Sequence, residues 1–389
     1  MAVLTKEEFG LAYTGYKNSK YYDANVKYDT ARWWGYPDGV DVPRFDTPIT
    51  ARENFRRAVG RNNPCWMPNP LTDAQPIMAN DVMGHMVDGK QIHSDMSSRS
   101  DGDYNFRDWF NTEWTWVQSA GGAMLRPGTQ CLSDILNWEK EIVWPDLTVW
   151  GFEEKAAWYM REVYNPDKAH TYNMGRGLTE RLVSLLGGYT ETMIALAVEP
   201  EAVRSFFERL ADFIIDMFDV ISSLYPLDMV TMHDDWGTEK DTFFSEKMME
   251  ELVFEPTKRI VDHVKSRDIY FELHSCGNVT RFLPYMVDLG IDVVQLQRRA
   301  VDLPAMKAKY GNKIGYCTGG LEGLEFGVPV SVEEFCEAVR RTVDIYGPGG
   351  GSYASVSSPS KDILHAGLTE LYCYSRELYD AEHQNSEGD

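Results

Sequence analysis

The chain predicts an α/β fold of the (β/α)8 TIM-barrel class with an N-terminal extension, and three observations carry that expectation. Short apolar strands alternate strictly with amphipathic helices through the second half of the chain, the mark of a parallel sheet covered by helices. Its 389 residues accommodate a barrel, which needs roughly 250. Metal-capable and polar side chains recur just where strands would end, the rim at which barrel enzymes place their chemistry.

Taken in order, residues 1 to 50 are Tyr-rich, polar and irregular, and are expected to form an extension packed on the barrel, with 51–389 as the catalytic barrel. Residues 51–59 read as an amphipathic helix, followed by the apolar stretch Cys65-Trp66-Met67. Between 70 and 127, frequent Gly, Asp, Asn and Met predict long loops and short strands. The regular part begins with a long helix over 202–225 whose apolar residues share one face. Strands are expected at 228–232, 269–273, 292–296, 314–316 and 352–356, with helices at 245–267, 279–289, 303–310, 332–346 and 361–379. That is five strands; the first three of the eight are extrapolated.

Composition narrows the partners. A net charge of −22 would repel phosphates and disfavours nucleic acid and anionic membrane surfaces. No apolar run reaches membrane-spanning length, and the charged start MAVLTKEEFG lacks a secretion-signal core, so a cytoplasmic protein is expected. The six cysteines are scattered without a paired framework. Large rings crowd the first 160 residues, among them Tyr21, Tyr22, Trp33, Trp34, Trp66, Trp109, Trp114 and Trp116. They suit a core and a homodimer interface, and several would suit a pocket for a flat, apolar ligand.

The strand ends carry the candidate chemistry: His233-Asp234-Asp235, then His274-Ser275-Cys276-Gly277, then Gln295 and Gln297, Cys317-Thr318-Gly319-Gly320, and Ser355 to Ser358. Residues two apart on a strand share a face, so His274 and Cys276 present imidazole and thiolate together, a zinc-type pair. H-x-C is short and also occurs as a buried histidine beside a filler cysteine; its place at a strand end favours ligation. A catalytic zinc needs a third protein ligand; Cys317 brings a thiolate to the same rim, or is a free cysteine at a tight turn. Asp234 and Asp235 are candidate proton donors or hydroxyl-orienting groups, with Glu239 a weaker one of the same kind; Asp and Gly also build turns. No P-loop or G-x-G-x-x-G motif is present.

The runs Asp234 to Gly237 (DDWG) and His274 to Gly277 (HSCG), with the strand–helix spacing after them, resemble the uroporphyrinogen decarboxylase superfamily over roughly residues 50 to 380. Within it the chain resembles the corrinoid-dependent methyltransferases, including the O-demethylase methyltransferases of anaerobic bacteria. The decarboxylases carry an Arg-rich segment early in the barrel; here 63–69 reads NPCWMPN, without arginine. The resemblance implies a zinc held by H-x-C and a later Cys, but that last position falls near Ser352. Cys317 or a carboxylate such as Glu239 would then complete the set, or no catalytic zinc exists. The Asp-x-His-x-x-Gly cobalamin-domain signature is missing, so the cobalamin would arrive on a separate corrinoid protein. The implied activity is methyl transfer from a small methoxylated, aromatic donor to that protein. The alternatives are transfer from a methylcorrinoid to a thiol or folate, and a binding barrel without this chemistry.

Overall fold

The structure is a computed structural model that describes residues 21, 27–33, 36–77, 86–87, 90–91, 102–117, 119, 122–325 and 328–386. Most of the expected extension, with Tyr22 and Trp34, lies outside the described residues.

Seven strands, β3 (Ala74–Ile77), β9 (Ala169–Arg176), β10 (Met229–His233), β11 (Tyr270–Ser275), β12 (Val293–Leu296), β13 (Gly315–Cys317) and β14 (Ser352–Tyr353), form one sheet in chain order. The pairings of β9 to β11 and of β12 to β14 are parallel. Their apolar residues are buried on both faces, as parallel strands under helices require. The expected barrel-class α/β order is therefore present, with seven described strands where eight were expected. The stretch Cys65–Asn69 shows why. Ala354 N–H donates to Pro68 O (2.9 Å) and Asn69 Nδ2 to Val356 O (3.3 Å), so the segment runs beside the end of β14. Pro64, Pro68 and Pro70 supply no backbone donors, and no regular ladder forms.

The chain divides into two compact units, one of residues 1–75, 165–170 and 292–389, the other of 76–164 and 171–291. In the first, β1 (Lys27–Trp33) and β2 (Tyr36–Arg44) form an antiparallel pair, and Lys361 Nζ reaches Asp41 Oδ2 at 3.2 Å. Helices Ala51–Val59, Leu303–Tyr310 and Val332–Tyr346 start where the sequence predicts. Thr50 caps the first through Glu53 N (3.1 Å) and Asp302 the second through Ala305 N (3.1 Å). Ser331 and Glu334 form a reciprocal capping box on the third.

The second unit holds the longest of its helices, Pro200–Leu224, which buries Val203, Phe206, Phe207, Leu210, Ile214, Met217, Phe218 and Ile221 at helical spacing. The expected helix over 245–267 is interrupted by a π turn at Met249–Val253. Pro256 lacks an N–H and its ring would crowd the preceding turn, so the backbone widens there. Arg204 Nε donates to the Glu251 carbonyl at 3.2 Å. Residues 86–125, expected as loops and short strands, build a five-stranded antiparallel sheet in the order β5-β4-β6-β7-β8. Its strands are β4 (Met86–Val87), β5 (Lys90–Gln91), β6 (Tyr104–Arg107), β7 (Glu113–Val117) and β8 (Gly122–Leu125). The period-2 signal is present in Tyr-Asn-Phe-Arg and Glu-Trp-Thr-Trp-Val, whose buried Phe106, Trp114 and Trp116 pack together. Among the described residues, no helix is long and apolar enough to cross a membrane.

Candidate active site and metal centre

Three strand ends in the second unit define the site. Parallel register aligns Arg176 of β9 with His233 of β10, and His233 with His274 of β11. The two imidazoles stack with centroids 4.3 Å apart and planes 28° apart. Past the strand ends the two loops lock together. Asp234 N–H donates to His274 O (3.0 Å), Trp236 N–H to Ser275 Oγ (3.0 Å), and Asn278 N–H to Thr238 O (2.6 Å). Gly277, at φ +81°, lies directly against the Gly237 backbone.

This lock collects three donors. Cys276 Sγ lies 3.3 Å from His274 Nε2, and Asp235 Oδ1 lies 3.7 Å from the same nitrogen. All three ligand atoms fall within 4.8 Å of one another, and each residue is partly exposed. The Cys276 N–H donates to Asp235 Oδ1 at 2.7 Å, which holds the carboxylate in place. Burial and the Asp235 charge push the Cys276 thiol up to about 12, a neutral thiol beside a carboxylate in the absence of a cation. One imidazole, one sulfur and one carboxylate at this spacing fit a zinc ion with three protein ligands and an open position. Asp235, read from sequence as a proton donor, is thus placed as the third donor of the cluster.

The other expected residues fall as follows. Asp234 is fully buried and accepts from Thr179 Oγ1 (2.5 Å), Thr179 N (3.3 Å) and Glu180 N (2.8 Å), so it anchors the start of helix Leu178–Leu186. Glu239 sits exposed in the turn closed by the Gly237–Thr242 bridge. In the first unit, Cys317 is buried with Sγ 3.6 Å from Gln295 Nε2 and 3.6 Å from Ser355 Oγ. Ser352 is buried there with no partner for its hydroxyl among the described residues.

Sequence reading missed a second group beside the donors. Between Asn173 and Gly175 the register of β9 against β10 slips by one residue, a β-bulge. Gly175 takes φ +80° and its N–H donates to Asn173 Oδ1 (2.7 Å). That bond orients the Asn173 amide, so Nδ2 donates to His233 Nε2 (2.8 Å). His233 must therefore accept at Nε2 and stay neutral. Burial, with the neighbouring His274 and Arg176, pushes it well below the ordinary histidine value, in agreement. Past the bulge, Arg176 lies over the Trp114 ring at 4.0 Å and donates from Nη1 to Glu180 Oε1 at 2.9 Å. Tyr189, stacked on Phe243 at 4.3 Å, feels the charges of Glu180, Asp235 and Arg176.

Burial pushes Glu180 up to about 8, with Asp235 and Asp234 adding to the rise and Arg176 opposing it. Asp234 rises to about 6 because burial outweighs its hydrogen bonds. Both folded values lie above the ordinary 4.5 and 3.8, so the stability these groups contribute is full below about pH 4. It is lost as pH rises through about 6 and then about 8. At about 1.4 kcal/mol per tenfold change in ionisation, the loss is on the order of several kcal/mol. Urea unfolding of metal-free protein at pH 5 and 8.5 is expected to show Glu180→Gln gaining on the parent chain at the higher pH. A constant difference between the two proteins would refute this.

Residues 182–351 match the family model of uroporphyrinogen decarboxylase (URO-D), a span that contains both DDWG and HSCG. The match bears out the resemblance carried by those motifs. Among solved structures, a methyltransferase from Methanosarcina mazei aligns with TM-score 0.53 at 12% identity, covering 85% of this chain and 99% of that one. An endo-1,4-beta-xylanase from Caldicellulosiruptor owensensis aligns with TM-score 0.26 at 10% identity, covering 57% of this chain and 77% of its own. At these identities the first likeness shows the fold. No curated protein matches.

Proposed function

We propose that this uroporphyrinogen-decarboxylase-type chain is a cytoplasmic methyltransferase that moves a methyl group from a methoxylated aromatic donor to a corrinoid carried by a separate protein. Residues 51–389 would form the catalytic barrel and residues 1–50 an extension packed on it, in a homodimer. The observation that carries the reading is the convergence of Asp235, His274 and Cys276 within 4.8 Å at the ends of parallel strands. Two further facts support it: the match of residues 182–351 to the URO-D family model, and the fold shared over 85% of this chain with a protein described as a methyltransferase.

In the proposed step the methyl–oxygen bond breaks, the methyl group passes to the reduced corrinoid, and the bonding pair stays on oxygen. Aryl oxide leaves poorly unless its charge is met. Zinc, when held by Asp235, His274 and Cys276, supplies Lewis acidity toward that oxygen. The protein's own share is to place the ether beside these donors and to supply the proton that the product phenol needs. A carboxyl raised toward neutrality can donate that proton, and Glu180, nearly buried and pushed up to about 8 by burial with the Asp235 charge adding to the rise, is the carboxyl assigned that role. Asp234 is held in the helix start and serves to fix it. Glu239 and Cys317 have no role in this reading.

The test is direct. With a reduced corrinoid protein supplied, the purified chain is expected to convert a methoxyarene to its phenol with one methyl transferred per phenol formed. No phenol from any methoxyarene, with zinc bound and the corrinoid reduced, would overturn the reading.

A further inference from the structure

Arg176 is built into the rim with more care than an ion pair requires. The β-bulge with Gly175 at φ +80° turns the end of β9 and so sets the direction in which Arg176 leaves the strand. Trp114 covers one face of the guanidinium at 4.0 Å. Glu180 takes a single hydrogen bond from Nη1 at 2.9 Å. Nε is buried and has no hydrogen-bond partner among the described residues. A buried guanidinium N–H left unsatisfied is costly, and natural proteins keep such groups where something completes them.

A guanidinium receives a carboxylate best through two parallel bonds along one edge. With Nη1 turned to Glu180, the edge through Nε carries no carboxylate among the described residues. The register puts this group level with His233 and His274, one and two strands away. The Trp114-covered guanidinium and the Asp235–His274–Cys276 donors therefore lie at neighbouring strand ends.

We infer that the Nε edge of Arg176 is the subsite for a carboxylate on the substrate, so that the preferred donor is an anionic methoxyarene. The inference rests on the methyl-transfer reading for the methoxy group, and on Arg176 alone for the carboxylate. Glu180 then accepts from Nη1 on the other side of the guanidinium and leaves the Nε edge to the substrate. Selection for charge follows: a neutral analogue would leave the buried Nε unsatisfied, which costs more than a missing apolar contact.

Binding calorimetry separates the two claims. Dimethoxybenzoate, dimethoxybenzyl alcohol and plain benzoate would be titrated into zinc-loaded protein, into Arg176→Gln and into Arg176→Lys. The expected result is at least a tenfold preference for dimethoxybenzoate over the alcohol, abolished in Arg176→Gln and reduced in Arg176→Lys, with the alcohol's affinity unchanged. Benzoate is expected to bind weakly and to depend on Arg176 in the same way. Thermal melts of the variants report on folding, and unchanged alcohol affinity shows the pocket intact. No preference for the carboxylate, a preference that survives Arg176→Gln, or no binding of any of the three would overturn the inference. Arg176-dependent benzoate binding without demethylation of any methoxyarene would instead remove the methyl-transfer reading and leave the anion subsite standing.

Discussion

Protein purified with His274 and Cys276 both replaced by alanine is expected to carry no zinc, whereas the parent chain carries about one ion per chain. The double variant removes the imidazole and the thiol that approach to 3.3 Å and leaves only the Asp235 carboxylate, too little to hold a divalent cation in water. Asp235→Asn keeps the side chain's shape and the bond from Cys276 N–H while removing its charge. It is expected to weaken zinc by about tenfold or more. Because the Cys276 thiol is held up near 12 without metal, ligation must displace its proton. Zinc affinity should therefore rise with pH, and loading should release acid. Metal analysis after exhaustive dialysis, with competition against a chromogenic chelator, reads all three outcomes. Equal zinc in the parent and the double variant would place any metal elsewhere. A parent chain that takes up none would leave a binding barrel as the reading.

How much of this could be read from sequence depended on whether the signal was local. Helix Leu303–Tyr310 and helix Val332–Tyr346 were legible to the residue because Asp302 and Ser331 are side-chain caps followed by helical periodicity. β9 was not legible. Ala169–Arg176 mixes His, Asn, Gly and Arg, and it is a strand because β10 pairs with it, bulge included. The five-stranded sheet over residues 86–125 has alternation in two of its strands, but the intervening Gly, Asp and Asn read as loop.

The same division runs through the site. His274 and Cys276 are two residues apart, so one strand suffices to bring them together. Asp235 becomes their neighbour only because Asp234 N–H binds His274 O and the Cys276 N–H binds Asp235 itself. Those are contacts between chain segments some forty residues apart, with no sequence signature. Arg176 and Glu180 were invisible for a related reason. A helical i,i+4-like Arg–Glu pair is common on surfaces, and only tertiary structure shows this one to be nearly buried and set against Trp114. Cys317 was read correctly as the end of a strand, and its thiol packs against Gln295 and Ser355.

The site's dependence on two glycines yields the other large expected effect. A Cβ on Gly277 would stand 2.1 Å from both the carbonyl carbon and the oxygen of Gly237, and 2.7 Å from its Cα. These are backbone atoms fixed by the bridge to Thr242 and by the bond from Asn278 N–H to Thr238 O, so no side chain can swing aside. The φ of +81° adds a left-handed conformation that alanine adopts at a cost. Gly277→Ala is therefore expected to force the two loops apart and to destabilise the fold by about 3 kcal/mol or more, a magnitude reserved for named defects of this kind. The movement would also pull Cys276 N–H away from Asp235 Oδ1, so zinc affinity should fall although no donor atom has been changed. Gly237→Ala is the informative comparison. Its Cβ would meet Asn278 N, Gly277 C and Val279 Cγ1 at 3.0 Å, tight contacts that a shift of a few tenths of an ångström relieves. It should cost markedly less stability and keep most of the zinc affinity. Urea unfolding of the metal-free proteins, followed by chelator competition, would measure both effects. A Gly277→Ala protein within about 1 kcal/mol of the parent and with full zinc affinity would show that the two loops are not locked as described.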